Sequence, residues 1–133
     1  MNDYAFAVKE RPDYLYATVT GPNTPETIVR YSADVRDACL RIGQMRVLVV
    51  VDLHGPGLSM LEVYKAAAES SDQAAGIGLR AAYVFKNLEH GAENVHLAEA
   101  VAATRGIRAR TFRNVTQAES WLRGSTSTDH RAV

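Results

Sequence analysis

The stretch VLVVVDLHGPGLSMLE, residues 47–62, contains the clearest strand and helix signals of this 133-residue chain. Its apolar run does not alternate with polar residues, which is typical of a central strand covered on both faces. The run stops at Asp52, and a turn follows through His54-Gly55-Pro56-Gly57. Ser59-Met60-Leu61-Glu62 then fits a capping box, in which the serine hydroxyl accepts from the third helical N–H. The stretch therefore predicts a buried strand, a tight turn and a helix.

Upstream of this unit, residues 4–9 and 15–20 are short runs rich in aromatic and β-branched residues, which predict an antiparallel strand pair. A helix is expected to follow, with Thr24 as its cap, Pro25 at its first position and Gly43 as its stop. Downstream, residues 79–85 and 107–112 read as strands, residues 89–104 as a helix, and Asn114 as the cap of a last helix.

The predicted order is ββαβαβαβα. It indicates an α/β fold with a single, mostly parallel five-stranded sheet that contains one antiparallel strand. One domain is expected over residues 1–123, with a disordered tail over residues 124–133 because that segment has little to bury.

The composition narrows the possible partners and compartment. Fifteen basic residues balance fifteen acidic ones, so neither nucleic acid nor an anionic membrane is an expected partner. No apolar run reaches about 20 residues, and the N-terminus lacks an apolar signal core, so a transmembrane segment is not expected and a cytoplasmic location is. The single cysteine, Cys39, excludes an internal disulfide and reads as a small buried side chain.

Catalytic and metal-binding motifs are not assembled in the sequence. There is no nucleophile elbow, Walker loop or Rossmann fingerprint. Glu89, Glu93 and His96 share a helical face, but they read as a solvated charged surface, and His54, His90 and His130 add no ligand spacing typical of zinc. We therefore expect no cofactor, no metal and a non-enzymatic protein.

Several pieces of the chain resemble the SpoIIAA-like branch of the STAS superfamily over about residues 4–123. They are VLVVVD with its loop and helix, LRAAYVF, and RARTFRNVTQAESWL with Phe112, Ala118, Trp121 and Leu122. In the anti-sigma-factor antagonists of that superfamily, a serine at the start of the helix after the central strand is phosphorylated and switches binding to a partner kinase. Ser59 stands at the matching helix start, although the family has an Asp-Ser-Ser-Gly-Leu type of sequence where this chain has Gly55-Pro56-Gly57-Leu58-Ser59.

This resemblance implies a regulatory or protein-interaction domain that binds a protein partner through the loop and helix start after the central strand. The residues predicted to form this surface are Asp52, His54, Gly57, Ser59 and Glu62. From the sequence alone, Ser59 also suits a plain helix cap, and Asp52 suits an acid that holds its loop. An exposed edge strand leaves a homodimer possible.

Two alternatives stay open. The SpoIIAA-like branch is similar in fold to Sec14-type lipid-binding domains, which implies a carrier or sensor of a small apolar molecule. Its lining would come from aromatic and aliphatic residues that also suit an ordinary core: Met60, Leu61, Tyr64, Tyr83, Phe85 and Trp121. The third alternative is a cryptic enzyme, which requires Asp52, His54 and Ser59 to converge.

Overall fold

The computed structural model describes residues 4–86 and 92–124, with side chains from 95 onward in the second range. It contains five strands and four helices in the predicted order. In chain order they are β1 (Ala5–Glu10), β2 (Leu15–Pro22), α1 (Pro25–Ile42), β3 (Arg46–His54), α2 (Met60–Ala74), β4 (Arg80–Phe85), α3 (Ala92–Ala103), β5 (Arg108–Thr111) and α4 (Val115–Leu122).

The strands form one sheet in the order β1-β2-β3-β4-β5. β1 and β2 pair antiparallel, and all later pairs are parallel. The central strand is covered on both faces, because residues 47–51 of β3 are each no more than 7% exposed. The α/β fold with a mostly parallel sheet is confirmed.

Local capping sets the helix bounds, as the sequence predicts. Thr24 caps α1 through its Oγ1, which accepts from the Thr27 N–H at 3.2 Å. Gly43 ends α1 in the left-handed region at φ 83°, where residues with a Cβ are strained. Asn114 caps α4 by accepting from the Gln117 N–H at 2.9 Å.

The two faces of the sheet carry different helices. Three successive crossovers step in one direction across the sheet, and right-handed crossovers of this kind place their helices on the same face. α1 packs there against β2, and α3 packs there against β5. We call the face of the sheet that carries α1, α2 and α3 the three-helix face. α4 follows the last strand and packs against β3 and β4, with Ala118 and Leu122 fully buried among Leu48 and Ala82 of the opposite face.

The remaining sequence predictions can be compared with the structure only where they fall on described residues. Cys39 is fully buried, and burial raises the pKa of its thiol to about 11, so the prediction of a small buried side chain is confirmed. The predicted beginning of α3 at residue 89 lies outside the described residues, and so do residues 125–133 of the tail predicted over residues 124–133. Within the described ranges, no helix has the length and apolar character needed to cross a membrane.

Candidate functional site

The loop after β3 is held by hydrogen bonds to the end of β2. The Asn23 N–H donates to the carbonyl of His54 at 2.8 Å, and Asn23 Nδ2 donates to the carbonyl of Pro56 at 2.9 Å. Gly55 lies at φ 133°, a region that favours glycine, so this turn depends on its lack of a Cβ. The loop is therefore held by local backbone chemistry and by Asn23, which directly follows the neighbouring strand β2.

Ser59 is a helix cap in this structure. Its Oγ accepts from the Glu62 N–H at 3.1 Å, and Glu62 Oε1 accepts from the Ser59 N–H at 2.8 Å. These two bonds form the reciprocal capping box that the sequence predicts. Both residues are exposed, so the cap lies on the surface of the molecule.

Asp52 and His54 lie beside the same loop. His54 Nε2 is 3.2 Å from Asp52 Oδ1, and the His54 side chain is about half exposed. This brings together two of the three residues required by the enzyme alternative. The hydroxyl of the third residue, Ser59, accepts a hydrogen bond in the cap of α2, so its described role is structural.

A cavity of about 430 Å³ separates α2 from the sheet on the three-helix face. Strands β3, β4 and β5 form its floor, and helices α1, α2 and α3 form its walls. Most of the lining is apolar. Among the lining side chains are Val51, Val63, Leu79, Tyr83, Phe85 and Val95.

The widths of helices and strands explain why this space exists. The strands from β2 to β5 span three spacings, about 14 Å in all, whereas three helices side by side need about 16–20 Å between the outer two axes. α1 and α3 rest against β2 and β5, and α2 packs mainly against these two helices. The middle helix is therefore raised above the central strands, and the cavity lies beneath it.

Small side chains keep the cavity from being filled. Ala67 and Ala74 on α2 and Ala98 and Ala102 on α3 are all part of its wall. Their spacings of seven and four residues place each pair on one helical face. Because a methyl group cannot reach across the gap to the sheet, the space remains open.

Aromatic side chains line the floor and one wall. The Tyr31 and Tyr83 rings lie 6.4 Å apart between centroids, and Tyr83 stacks on Phe85 at 5.8 Å. Burial, with a smaller contribution from Cys39, raises the pKa of Tyr83 to about 12. Burial also raises the pKa of Tyr31, with Tyr83 and then Tyr4 adding to the effect. Both hydroxyls therefore stay protonated at neutral pH and can donate hydrogen bonds.

The six residues predicted to line an apolar site lie in three different places in the structure. Tyr83 and Phe85 line the cavity. Met60, Leu61 and Tyr64 are 56%, 62% and 46% exposed on α2 and are not part of the lining. Trp121 packs in the core cluster of the opposite face, where Arg80 donates to its carbonyl at 2.7 Å and lies over its ring. The alanines of α2 and α3, which the prediction left out, form much of the wall instead.

The five residues predicted for a partner surface are also divided. His54 and Gly57 border the cavity, Asp52 pairs with His54, and Ser59 and Glu62 form the cap. The predicted surface and the cavity therefore meet at the loop after β3.

A second space of about 400 Å³ borders the cavity and shares Phe85, Val95, Glu99 and Thr111 with it. Its remaining wall includes Arg110 and Arg113 and the exposed His96. Arg110 and Arg113 therefore lie outside the cavity lining, and the wall that the two spaces share contains Glu99.

Among the side chains that the structure describes, no three that could bind a metal ion come together. His96 lies 4.0 Å from Glu99 on the surface of α3, whereas His90 and His130 are outside the described residues and the Glu93 side chain is not described. The cavity is thus the most developed candidate site in the described part of the chain.

A comparison with models of protein families gave no match, and a comparison with curated proteins gave none either.

Proposed function

We propose that this protein binds a small, mostly apolar molecule in the cavity between α2 and the sheet. The observation that carries the proposal is the size of the space together with its mostly apolar lining. Protein interiors are close-packed and hold few voids larger than a water molecule, whereas small-molecule sites occupy about 300–1,000 Å³. A cavity of about 430 Å³ falls in the second class.

The chemistry of the wall supports the same function. Small-molecule sites are mostly apolar and carry a few convergent polar groups that orient the ligand. This cavity has aliphatic and aromatic walls, and the lining residues Tyr31, Tyr83 and Ser70 each carry a hydroxyl group. Binding an apolar molecule there would remove its surface from water at about 25 cal/mol per Å².

The test fills the cavity and measures binding of the neutral apolar dye Nile red by fluorescence. Ala67→Leu combined with Ala98→Leu places two larger side chains in the wall. We expect this variant to bind the dye at least about tenfold more weakly than the unaltered protein, a loss of about 1.4 kcal/mol.

The matched control is Ala103→Leu, because Ala103 is exposed on the same helix as Ala98 and lies outside the cavity lining. Circular dichroism checks that each variant is folded. If the unaltered protein fails to bind the dye, or if the filled variant binds it equally well, the proposal is wrong.

A second candidate function is binding of a protein partner, and exposed side chains at the start of α2 favour it. Met60, Leu61 and Tyr64 are each about half exposed or more and lie in the first two turns of α2, after the capping serine. Exposed apolar side chains that adjoin one another are a usual feature of interaction surfaces. The resemblance to anti-sigma-factor antagonists supports the same proposal, with phosphorylation of Ser59 as the switch.

Ser59→Asp tests this switch, because aspartate can still cap α2 while adding a negative charge at the position of the phosphate. Ser59→Asn is the control, since it caps without charge. We expect Ser59→Asp alone to lose a partner captured by the unaltered protein, measured by pull-down with quantitative mass spectrometry. Equal capture by both variants would contradict a charge-based switch.

A further inference from the structure

The charge of the cavity wall restricts what the cavity can hold. Within the described residues, its lining includes no lysine and no arginine. The carboxylate of Glu99 is part of the lining, and its Oε2 accepts from the Thr111 N–H at 2.7 Å. His54 borders the cavity but lies 3.2 Å from the carboxylate of Asp52. Among the described residues, an anion placed inside would therefore meet the Glu99 side chain and find no lysine or arginine to compensate its lost hydration.

Hydroxyl groups supply the polar contacts instead. Ser70 is part of the wall, and its Oγ is buried without a hydrogen-bond partner among the described residues. A buried unpaired hydroxyl costs free energy, so a change of the Ser70 rotamer that turns its Oγ towards an acceptor in the cavity would be favourable. Tyr31 and Tyr83 place two more hydroxyl-bearing rings in the same lining.

A comparison with the other tyrosines shows how these two differ. Tyr4 donates its hydroxyl proton to Asp34 at 2.5 Å, and Tyr14 donates to Glu119. Burial is the main cause of the raised pKa of Tyr31 and Tyr83, followed by Tyr83 and Tyr4 for Tyr31 and by Cys39 for Tyr83, with no carboxylate contact in the described part of the chain. Their hydroxyls are thus suited to donate to a ligand.

We propose, on the basis of the proposed ligand-binding function, that the natural ligand is an uncharged, mostly apolar molecule whose acceptor oxygen is hydrogen-bonded by Tyr31, Tyr83 or Ser70. A carbonyl, ether or hydroxyl oxygen meets this description. A carboxylate or phosphate does not.

The arginines of the neighbouring second space do not compensate the charge of an anionic ligand in the cavity. Arg110 and Arg113 lie there, and both are exposed. Glu99 belongs to the wall shared by the two spaces, so a headgroup that reached from the cavity towards these arginines would pass its carboxylate. Exposed arginines are also screened by water and salt, so they attract such a headgroup only weakly.

The test uses three naphthalenes of nearly equal size that differ in one group. 2-Acetylnaphthalene carries a neutral acceptor oxygen, 2-ethylnaphthalene carries none, and 2-naphthoate carries a negative charge. Affinities for the full chain are measured at pH 7 by isothermal titration calorimetry. We expect 2-acetylnaphthalene to bind about 3- to 10-fold more tightly than 2-ethylnaphthalene, the effect of one net hydrogen bond. 2-Naphthoate should bind most weakly of the three.

Single variants then identify the donors. Tyr31→Phe, Tyr83→Phe and Ser70→Ala each remove one hydroxyl and keep most of the side-chain volume. At least one of them should lower the affinity for 2-acetylnaphthalene to that for 2-ethylnaphthalene while leaving the affinity for 2-ethylnaphthalene unchanged. Tyr16→Phe, outside the cavity, should alter neither.

The outcomes separate this inference from the proposed function. If none of the three probes binds, the ligand-binding function itself fails. If 2-ethylnaphthalene binds and the filled variant loses it, the function holds. In that case, equal or tighter binding of 2-naphthoate would overturn the inference of an uncharged ligand. Unchanged 2-acetylnaphthalene affinity in all three hydroxyl variants would overturn the assignment of the donors.

Discussion

At the scale of single residues, Tyr83 links the cavity to a measurable pH dependence. Its pKa is raised by burial to about 12, whereas an unfolded tyrosine titrates near 10. Below about pH 10 Tyr83 is protonated in both the folded and the unfolded protein, and its contribution to the free energy of unfolding is fully present. Between about pH 10 and 12 the unfolded state loses the proton first, so the free energy of unfolding should fall, by up to about 1.4 kcal/mol per pH unit for this group. Urea unfolding at pH 9, 10 and 11 measures the slope, and Tyr83→Phe should make it shallower. Tyr16→Phe serves as the control, and an equal slope in Tyr83→Phe would contradict the role assigned to burial.

At the scale of elements, α4 stabilises the face of the sheet opposite the cavity. Leu122 is fully buried there with Ala118, among residues of β3 and β4. Leu122→Ala should lower the free energy of unfolding by about 2–5 kcal/mol, because it removes buried methyl groups and leaves a void. Leu40→Ala is the control, since Leu40 is 52% exposed on α1. Urea unfolding at pH 7 makes the measurement, and a loss below about 1 kcal/mol would mean that α4 is not firmly docked. Because the cavity lies on the other face, Nile red binding should persist at urea concentrations where Leu122→Ala is still folded.

At the scale of the whole molecule, the cavity is a cost to stability that a ligand can offset. An unfilled space forfeits dispersion contacts, so the filled variant Ala67→Leu with Ala98→Leu should gain about 0.5–2 kcal/mol in the free energy of unfolding while it loses dye binding. Ala103→Leu should change neither quantity appreciably. Thermal unfolding of ligand-free protein makes the comparison. A filled variant that is markedly less stable would show that the two leucines do not fit the space. A gain in stability together with a loss of binding would be the signature of a site kept open for function.

Local chemistry made much of this fold predictable. Thr24, Ser59 and Asn114 cap helices through bonds to an N–H three residues ahead, so the pattern that predicts each cap is contained in a few consecutive residues. The unbroken apolar run of β3 likewise requires cover on both faces, and its burial confirms that. The order of elements then constrains the sheet, because parallel crossovers are right-handed and connect neighbours.

The candidate site could not be predicted from a few consecutive residues in this way. Aromatic and aliphatic residues have the same hydrophobic periodicity whether they face a cavity, the opposite core or solvent, so Tyr83, Trp121 and Leu61 could not be told apart. Their surroundings depend on which face α4 covers and on how far α2 stands above β3 and β4. That height follows from packing three helices across four strands, a property of the assembled layers. The helix caps and strands of this protein are therefore determined by short segments of its sequence. Its cavity is determined by the tertiary structure, because three adjacent helices are wider than the four strands that they cover.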